Sequence, residues 1–147
     1  MDLKKDWLKI SGVVLIGVSL MCMFIPVFQI PLVPYNQGWF LTLYSFGESF
    51  LSDVNFFQFA YYYLVTLAPV FNLVLAIWLL RRYTHRIPVI ILSVLSIQGA
   101  FYWQFKYGGM GLLQLGYYIY LLATLGTVAL NILKLRGQDS EEELMIS

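Results

Sequence analysis

The stretch Arg81-Arg82-Tyr83-Thr84-His85-Arg86 decides the fold, because it places three arginines between two long apolar runs, residues 59–80 and 87–103. On insertion scales, each Lys or Arg at the centre of a membrane helix costs about 2.5–3.5 kcal/mol. This stretch therefore cannot enter the hydrocarbon of a bilayer. The sequence predicts a short hairpin at residues 81–86, held at one side of a membrane, with a helix leaving it in each direction.

The composition is typical of a membrane protein. Apolar residues make up 60% of the 147-residue chain and charged residues 12%, whereas soluble domains average about 45–50% and about 25%. Four spans would use most of this length, so we expect a single membrane domain over the whole chain. No basic patch with interleaved aromatic residues occurs on a polar segment, so nucleic acid is not expected as a partner.

Four spans are predicted, at residues 10–28, 59–80, 87–103 and 112–133. Pro26, Pro31 and Pro34 end the first span, since proline removes a backbone donor. A glycine-rich turn at residues 106–111 precedes the last span, and the acidic tail at residues 138–147 is predicted to be disordered. The predicted fold is an all-α integral membrane protein, a four-helix bundle.

The long loop at residues 29–58 is unusually apolar for a connection exposed to water. Tyr35-Asn36-Gln37-Gly38 is a turn signal between two β-prone runs, which predicts a partly β-like outer loop. Exposed apolar patches mark contacts with partners or membranes, so Trp39, Tyr44 and Phe46 form a candidate partner surface. The loop carries no Asn-x-Ser/Thr sequon, which favours a bacterial plasma membrane.

The distribution of Lys and Arg predicts the orientation. If both termini and the hairpin share one side of the membrane, that side holds eight basic residues and the other holds Lys106 alone. The eight are Lys4, Lys5, Lys9, Arg81, Arg82, Arg86, Lys134 and Arg136. By the positive-inside rule we expect a multi-pass protein of the plasma (inner) membrane with both termini cytoplasmic and with Arg81, Arg82 and Arg86 as topology determinants.

No catalytic, cofactor or metal motif can be assembled from the sequence. The single histidine, His85, and the single cysteine, Cys22, lie at different levels of the predicted bundle, which excludes a Cys-His pair and a Ser-His-Asp set. A lone histidine without nearby Cys or His is also not a metal site. The predicted spans contain no Asp, Glu, Lys, Arg or His, which disfavours proton-coupled transport. We therefore expect neither an enzyme nor a bound cofactor.

A polar seam follows one face of the fourth span. Its residues recur at spacings of 3, 4, 3 and 4: Tyr117, Tyr120, Thr124, Thr127 and Asn131. Such spacing places all five on one side of a helix. Two interpretations stay open, a helix–helix contact in which the hydroxyls bond across or back to the i−4 carbonyl, and the lining of a polar path or partner groove.

The second and third spans carry further polar positions. Pro69 and Asn72 lie near the middle of the second span, where proline predicts a kink and, in the alternative interpretation, part of a substrate site. On the third span, Ser93 and Ser96 form a small-residue face. Gln98 points about 140° away from Ser93 at 100° per residue, so it either reaches the outer interface or meets a second contact.

These features favour a non-enzymatic accessory or assembly subunit of a membrane complex. The alternative is a homo-oligomeric channel or carrier for a small or lipidic solute, using the polar seam. A membrane enzyme acting on lipid would need an acid or base at the interface, and the candidates Glu48, Asp53 and His85 lie on opposite sides. The expected partners are the lipid bilayer and either another membrane protein or further copies of this chain.

Overall fold

The computed structural model describes residues 3–26, 56–81, 85–111 and 114–146, and all regular secondary structure in these ranges is helical. The elements are α1 (Leu3–Phe24), α2 (Phe56–Thr66), α3 (Ala68–Leu80), α4 (Arg86–Tyr107), a 3₁₀ helix (Gly108–Met110) and α5 (Leu115–Ile146). Three helical stretches are long and apolar enough to cross a membrane: Asp6–Phe24, Arg86–Phe105 and Leu115–Gln138. The predicted helical class is thus confirmed for the described residues, with three candidate membrane spans.

The helices pack with alternating direction. Gly12 near the start of α1 lies against Leu79 and Leu80 at the end of α3, and Gly116 at the start of α5 lies against Pro26 after α1. Helix α1 packs on α3 and α5, while α4 packs on α2, α3 and α5, and α3 and α5 also touch each other. Helices α3 and α5 therefore run parallel through the centre of the bundle, between α1 and α4.

The two ends of the bundle differ in charge. The start of α1, the end of α3, the start of α4 and Lys134 of α5 lie together at what we call the basic end. At the opposite end, α1 ends and α5 begins, and the 3₁₀ helix joins α4 to the following turn. Gly111 in that turn has φ of 65°, a backbone conformation that residues with a Cβ rarely adopt.

The second predicted span is interrupted at Leu67. This residue forms a turn with φ −80° and ψ −4°, and Pro69 occupies the first turn of α3. Proline lacks the N–H that would otherwise bond the Val65 carbonyl. Beyond it, the N–H groups of Val70 and Phe71 both donate to the Leu67 carbonyl, at 2.9 and 3.2 Å. With 13 residues, α3 is about 20 Å long and cannot cross hydrocarbon about 30 Å thick without α2.

Several boundaries differ from the sequence-based expectation. Helix α1 begins at Leu3, before residue 10, and α2 begins at Phe56, so the last residues of the predicted loop at 29–58 are helical. Residues 138–146 were predicted to be disordered, but they continue α5. Their Glu, Leu and Met residues are good helix formers, and extending an existing helix avoids the cost of nucleation. The predicted β-like part of the loop lies outside the described residues.

Two apolar clusters fill the interior at different depths. The cluster at the end opposite the basic end consists of Cys22, Ala100, Trp103, Tyr117 and Tyr120. The cluster nearer the basic end consists of Leu75, Val89 and Val128. Each draws on three helices, so the clusters hold the bundle together above and below its centre.

The contact between α5 and the chain after α1 leaves no room for a side chain at Gly116. An added Cβ would lie 2.9 Å from Ile25 Cγ2 and would collide with the Pro26 carbonyl. We expect Gly116→Ala to lower the free energy of unfolding by about 1–3 kcal/mol, as overpacking does. The measurement is thermal unfolding of the purified protein in mild detergent.

The matched control is Gly17→Ala, because Gly17 is also in a helix but has open space around its Cβ position. Its stability should stay the same or rise by up to about 1 kcal/mol, since alanine favours helix over glycine. Equal stability of the two variants would contradict the close approach at Pro26.

Candidate functional site

The structure places all five residues of the polar seam on the inner face of α5. Tyr117, Tyr120, Thr124, Thr127 and Asn131 are each at most 1% exposed. The 3–4 spacing in the sequence therefore corresponds to a face that looks into the bundle. No residue of the seam faces the lipid side of α5.

The two threonines of the seam bond to their own helix. Thr124 Oγ1 donates to the Tyr120 carbonyl at 2.9 Å, and Thr127 Oγ1 donates to the Ala123 carbonyl at 2.7 Å. This back-bonding to the i−4 carbonyl uses up the only proton of each hydroxyl. Neither threonine has a donor left for a molecule passing along the seam.

The ends of the seam bond to neighbouring helices. The Tyr117 hydroxyl donates to the Ala100 carbonyl of α4. Asn131 Nδ2 donates to the Leu75 carbonyl of α3 at 3.1 Å and to the Thr127 carbonyl of α5 at 2.9 Å. The seam therefore joins α5 to α3 and α4 through side chains that reach backbone carbonyls.

Asn72, three residues beyond the proline break, joins α3 to α1. Its Nδ2 donates to Ser19 Oγ at 3.1 Å, and both side chains are buried. The Oδ1 atom of Asn72 is buried without a hydrogen-bond partner among the described residues. Asn72 therefore joins two helices through its Nδ2 and leaves its Oδ1 without a hydrogen bond.

A polar layer crosses the bundle between the two apolar clusters. In each helix its members stand three or four positions from a cluster residue, which places them at intermediate depth. The layer consists of Ser19, Asn72, Ser93, Ser96 and Thr124. Like Asn72 Oδ1, the hydroxyl oxygens of Ser93 and Ser96 are buried and bond to no described residue. These oxygens could bind water or a small polar solute, and the layer itself contains no ionisable group.

Lys134 closes the seam at the basic end. Its Nζ donates to the carbonyls of Trp78 at 2.7 Å and Leu79 at 3.4 Å, and also to that of Arg81. The Trp78 and Leu79 carbonyls belong to the last turn of α3, and Arg81 directly follows that turn. The end of a helix carries partial negative charge, and its last carbonyls lack i+4 donors. The ammonium group thus caps α3 from a different helix.

Two of these contacts were not predicted from the sequence, although signals for both exist. Lys134 follows Asn131 by three residues, so it continues the spacing of the seam, although its positive charge by itself indicates only a basic residue at one side of the membrane. Ser19 follows Gly12 by seven residues, so the two share a face of α1 that packs on α3. A heptad reading of α1 would have found this pair.

The remaining candidates are dispersed. Arg81 and Arg86 are exposed at the basic end, and Gln98 is exposed on the outer side of α4, away from the buried Ser93 and Ser96. Arg82 and the candidate partner surface, Trp39, Tyr44 and Phe46, lie outside the described residues. Within the described ranges, no three His, Cys, Asp or Glu side chains come together as a possible metal site.

Comparison with known proteins gives no matching family model, no matching curated protein and no matching solved structure. Function must therefore be inferred from the chain's own residues. The features that bear on function are the hydrogen-bonded seam, the polar layer and the contact of Lys134 with the end of α3.

Replacing Lys134 with methionine should destabilise the bundle. The substitution keeps the apolar stem but removes the charged donor from the end of α3, at an expected cost of about 1–3 kcal/mol in the free energy of unfolding. Thermal unfolding in detergent measures the change. Arg136→Met is the matched control, since Arg136 is exposed and its loss changes the net charge equally; it should stay within about 0.5 kcal/mol of the parent. Equal losses in both variants would show that charge alone matters, and not the contact with α3.

Proposed function

We propose that this chain is a non-enzymatic accessory or assembly subunit of a larger membrane complex. The observation that carries the proposal is the hydrogen bonding of the seam. Thr124 and Thr127 donate their hydroxyl protons to carbonyls of their own helix, and Asn131 Nδ2 donates to carbonyls of α3 and α5. A polar face used in this way stabilises a bundle, whereas the lining of a conduction path keeps its groups available to the solute.

The proposed topology has four spans, with α2 and α3 together forming the second. Both termini and the hairpin lie in the cytoplasm, and the protein lies in the plasma membrane. Packing supports this topology, because the start of α1, the end of α3 and Lys134 of α5 meet at one end. That end carries most of the Lys and Arg of the chain, as the positive-inside rule requires of a cytoplasmic face.

The proposed partner surface is the apolar loop, represented by Trp39, Tyr44 and Phe46. It rests on the sequence, since a loop this rich in aromatic residues needs cover from headgroups or from another protein. Aromatic side chains are also the residues that most often anchor protein interfaces. A second membrane protein is therefore the proposed partner of this loop.

A homo-oligomeric channel or carrier is the second candidate, and the polar layer favours it. Asn72 Oδ1 and the hydroxyl oxygens of Ser93 and Ser96 have no hydrogen-bond partner among the described residues. Oxygens that accept hydrogen bonds from a solute would be unpaired in the same way. Against it, the layer lies between a cluster with buried Trp103, Tyr117 and Tyr120 on one side and an aliphatic cluster on the other.

Cysteine accessibility tests the topology. In a Cys22→Ala background, single substitutions Glu48→Cys, Thr84→Cys and Ser140→Cys are treated with a membrane-impermeant thiol reagent. We expect Glu48→Cys to react in intact cells, and Thr84→Cys and Ser140→Cys to react only after permeabilisation. Reaction of Thr84→Cys in intact cells would overturn the orientation.

Solute flux and partner capture separate the two functions. In the double variant Thr124→Val and Thr127→Val, only bonds within α5 are lost. We expect each substitution to cost less than the average of about 0.6 kcal/mol for hydrogen bonds between membrane helices, and a captured partner to remain bound. Trp39→Ala or Tyr44→Ala should instead release a partner that co-purifies in mild detergent. The parent protein in reconstituted vesicles should support no flux of neutral or ionic solutes. Flux in the parent that disappears in the stable double variant would refute the accessory role.

A further inference from the structure

The outer face of α4 carries a regular stripe of exposed residues, which we call the α4 stripe. Its members recur at spacings of 4, 3, 4, 3 and 4: Ile87, Ile91, Val94, Gln98, Phe101 and Phe105. This spacing is that of an a/d seam between paired helices. Helix α4 packs on α2, α3 and α5, and the stripe remains exposed. Lipid can solvate the apolar members of such a stripe. It offers no hydrogen bond to the amide of Gln98.

Gln98 lies inside the candidate membrane span Arg86–Phe105. At 1.5 Å per residue it stands about 18 Å along the helix from Arg86 and about 12 Å from Lys106, the nearest charged residues on either side in the sequence. Its side chain extends by three carbon–carbon bonds, or about 4–5 Å. No hydrogen bond joins it to another residue of the described ranges. An unpaired amide within hydrocarbon is costly, so a hydrogen-bond partner on the outer side of α4 would stabilise Gln98 there.

We propose that the α4 stripe is a homodimer interface in which Gln98 pairs with the same residue of a second copy. All copies insert into the membrane with the same orientation, so a two-fold axis between two copies runs along the membrane normal and facing helices are parallel. A residue close to that axis contacts the equivalent residue of the second copy. A primary amide has both donors and an acceptor, so it complements an identical group, which a carboxylate or an ammonium group could not do.

The remaining stripe residues suit the same interface. Parallel pairing brings Val94 and Phe101, one turn on either side of Gln98, against their equivalents in the second copy. A single polar residue within an apolar seam sets the register and the number of helices. The inference concerns only the outer face of α4 and does not depend on the proposed accessory role.

Disulfide cross-linking tests the interface in membranes. In the Cys22→Ala background, Val94→Cys and Phe101→Cys each keep Gln98 and place a thiol on the stripe. The control is Leu122→Cys, on the exposed side of α5. At low protein-to-lipid ratio, mild oxidation should convert the two stripe variants to a dimer of twice the chain mass, and should leave Leu122→Cys monomeric.

The amide is tested by substitution at Gln98 in the same background. Gln98→Leu should weaken dimerisation by about tenfold while thermal unfolding of the monomer is unchanged, and Gln98→Asn should retain most of the dimer. Several results would overturn the proposal: no dimer at the stripe, equal cross-linking of Leu122→Cys, a product with the mass of a different protein, or full dimerisation of Gln98→Leu.

Discussion

The rest of the structure depends on the hydrogen bonds that side chains of α5 donate to backbone carbonyls of α3. In a bilayer, apolar contact alone gives helices little preference for one another, because lipid is as apolar as leucine. Asn131 and Lys134 instead reach carbonyls that belong to α3, at Leu75 and in its last turn. They fix the register of a helix that is too short to span by itself, and α1 and α4 then pack against the resulting pair.

The polar layer follows from the same constraint. Its Asn, Ser and Thr side chains lie between two apolar clusters, where an unpaired polar group is costly. The bond from Asn72 to Ser19 ties α1 to α3 at this depth. A rotation of either helix would turn these groups into lipid, so the layer selects one packing. The channel interpretation draws on the unpaired acceptors of this layer, whereas the accessory interpretation draws on the hydrogen bonds of the seam.

Much of this arrangement could be predicted, and the parts that could not depend on tertiary packing. The arginines at 81–86 predict the hairpin because charge is excluded from hydrocarbon, and the spacing from Tyr117 to Asn131 places those residues on one face. The sequence does not say which helix that face meets, and a bond such as Asn72 to Ser19 joins residues 53 positions apart. Acidic composition predicts disorder at 138–147, yet residues 138–146 are helical, because they extend α5 without the cost of a new helix nucleus.

The contact of α3 with the inner face of α5 is tested most directly by an intramolecular disulfide. In a Cys22→Ala background, Leu75→Cys with Val128→Cys places two thiols in one buried cluster, whereas Leu75→Cys with Leu133→Cys places the second on the exposed side of α5. Mild oxidation in membranes should cross-link the first pair within one chain and leave the second pair reduced. Cross-linking of the second pair, or failure of the first, would contradict the account.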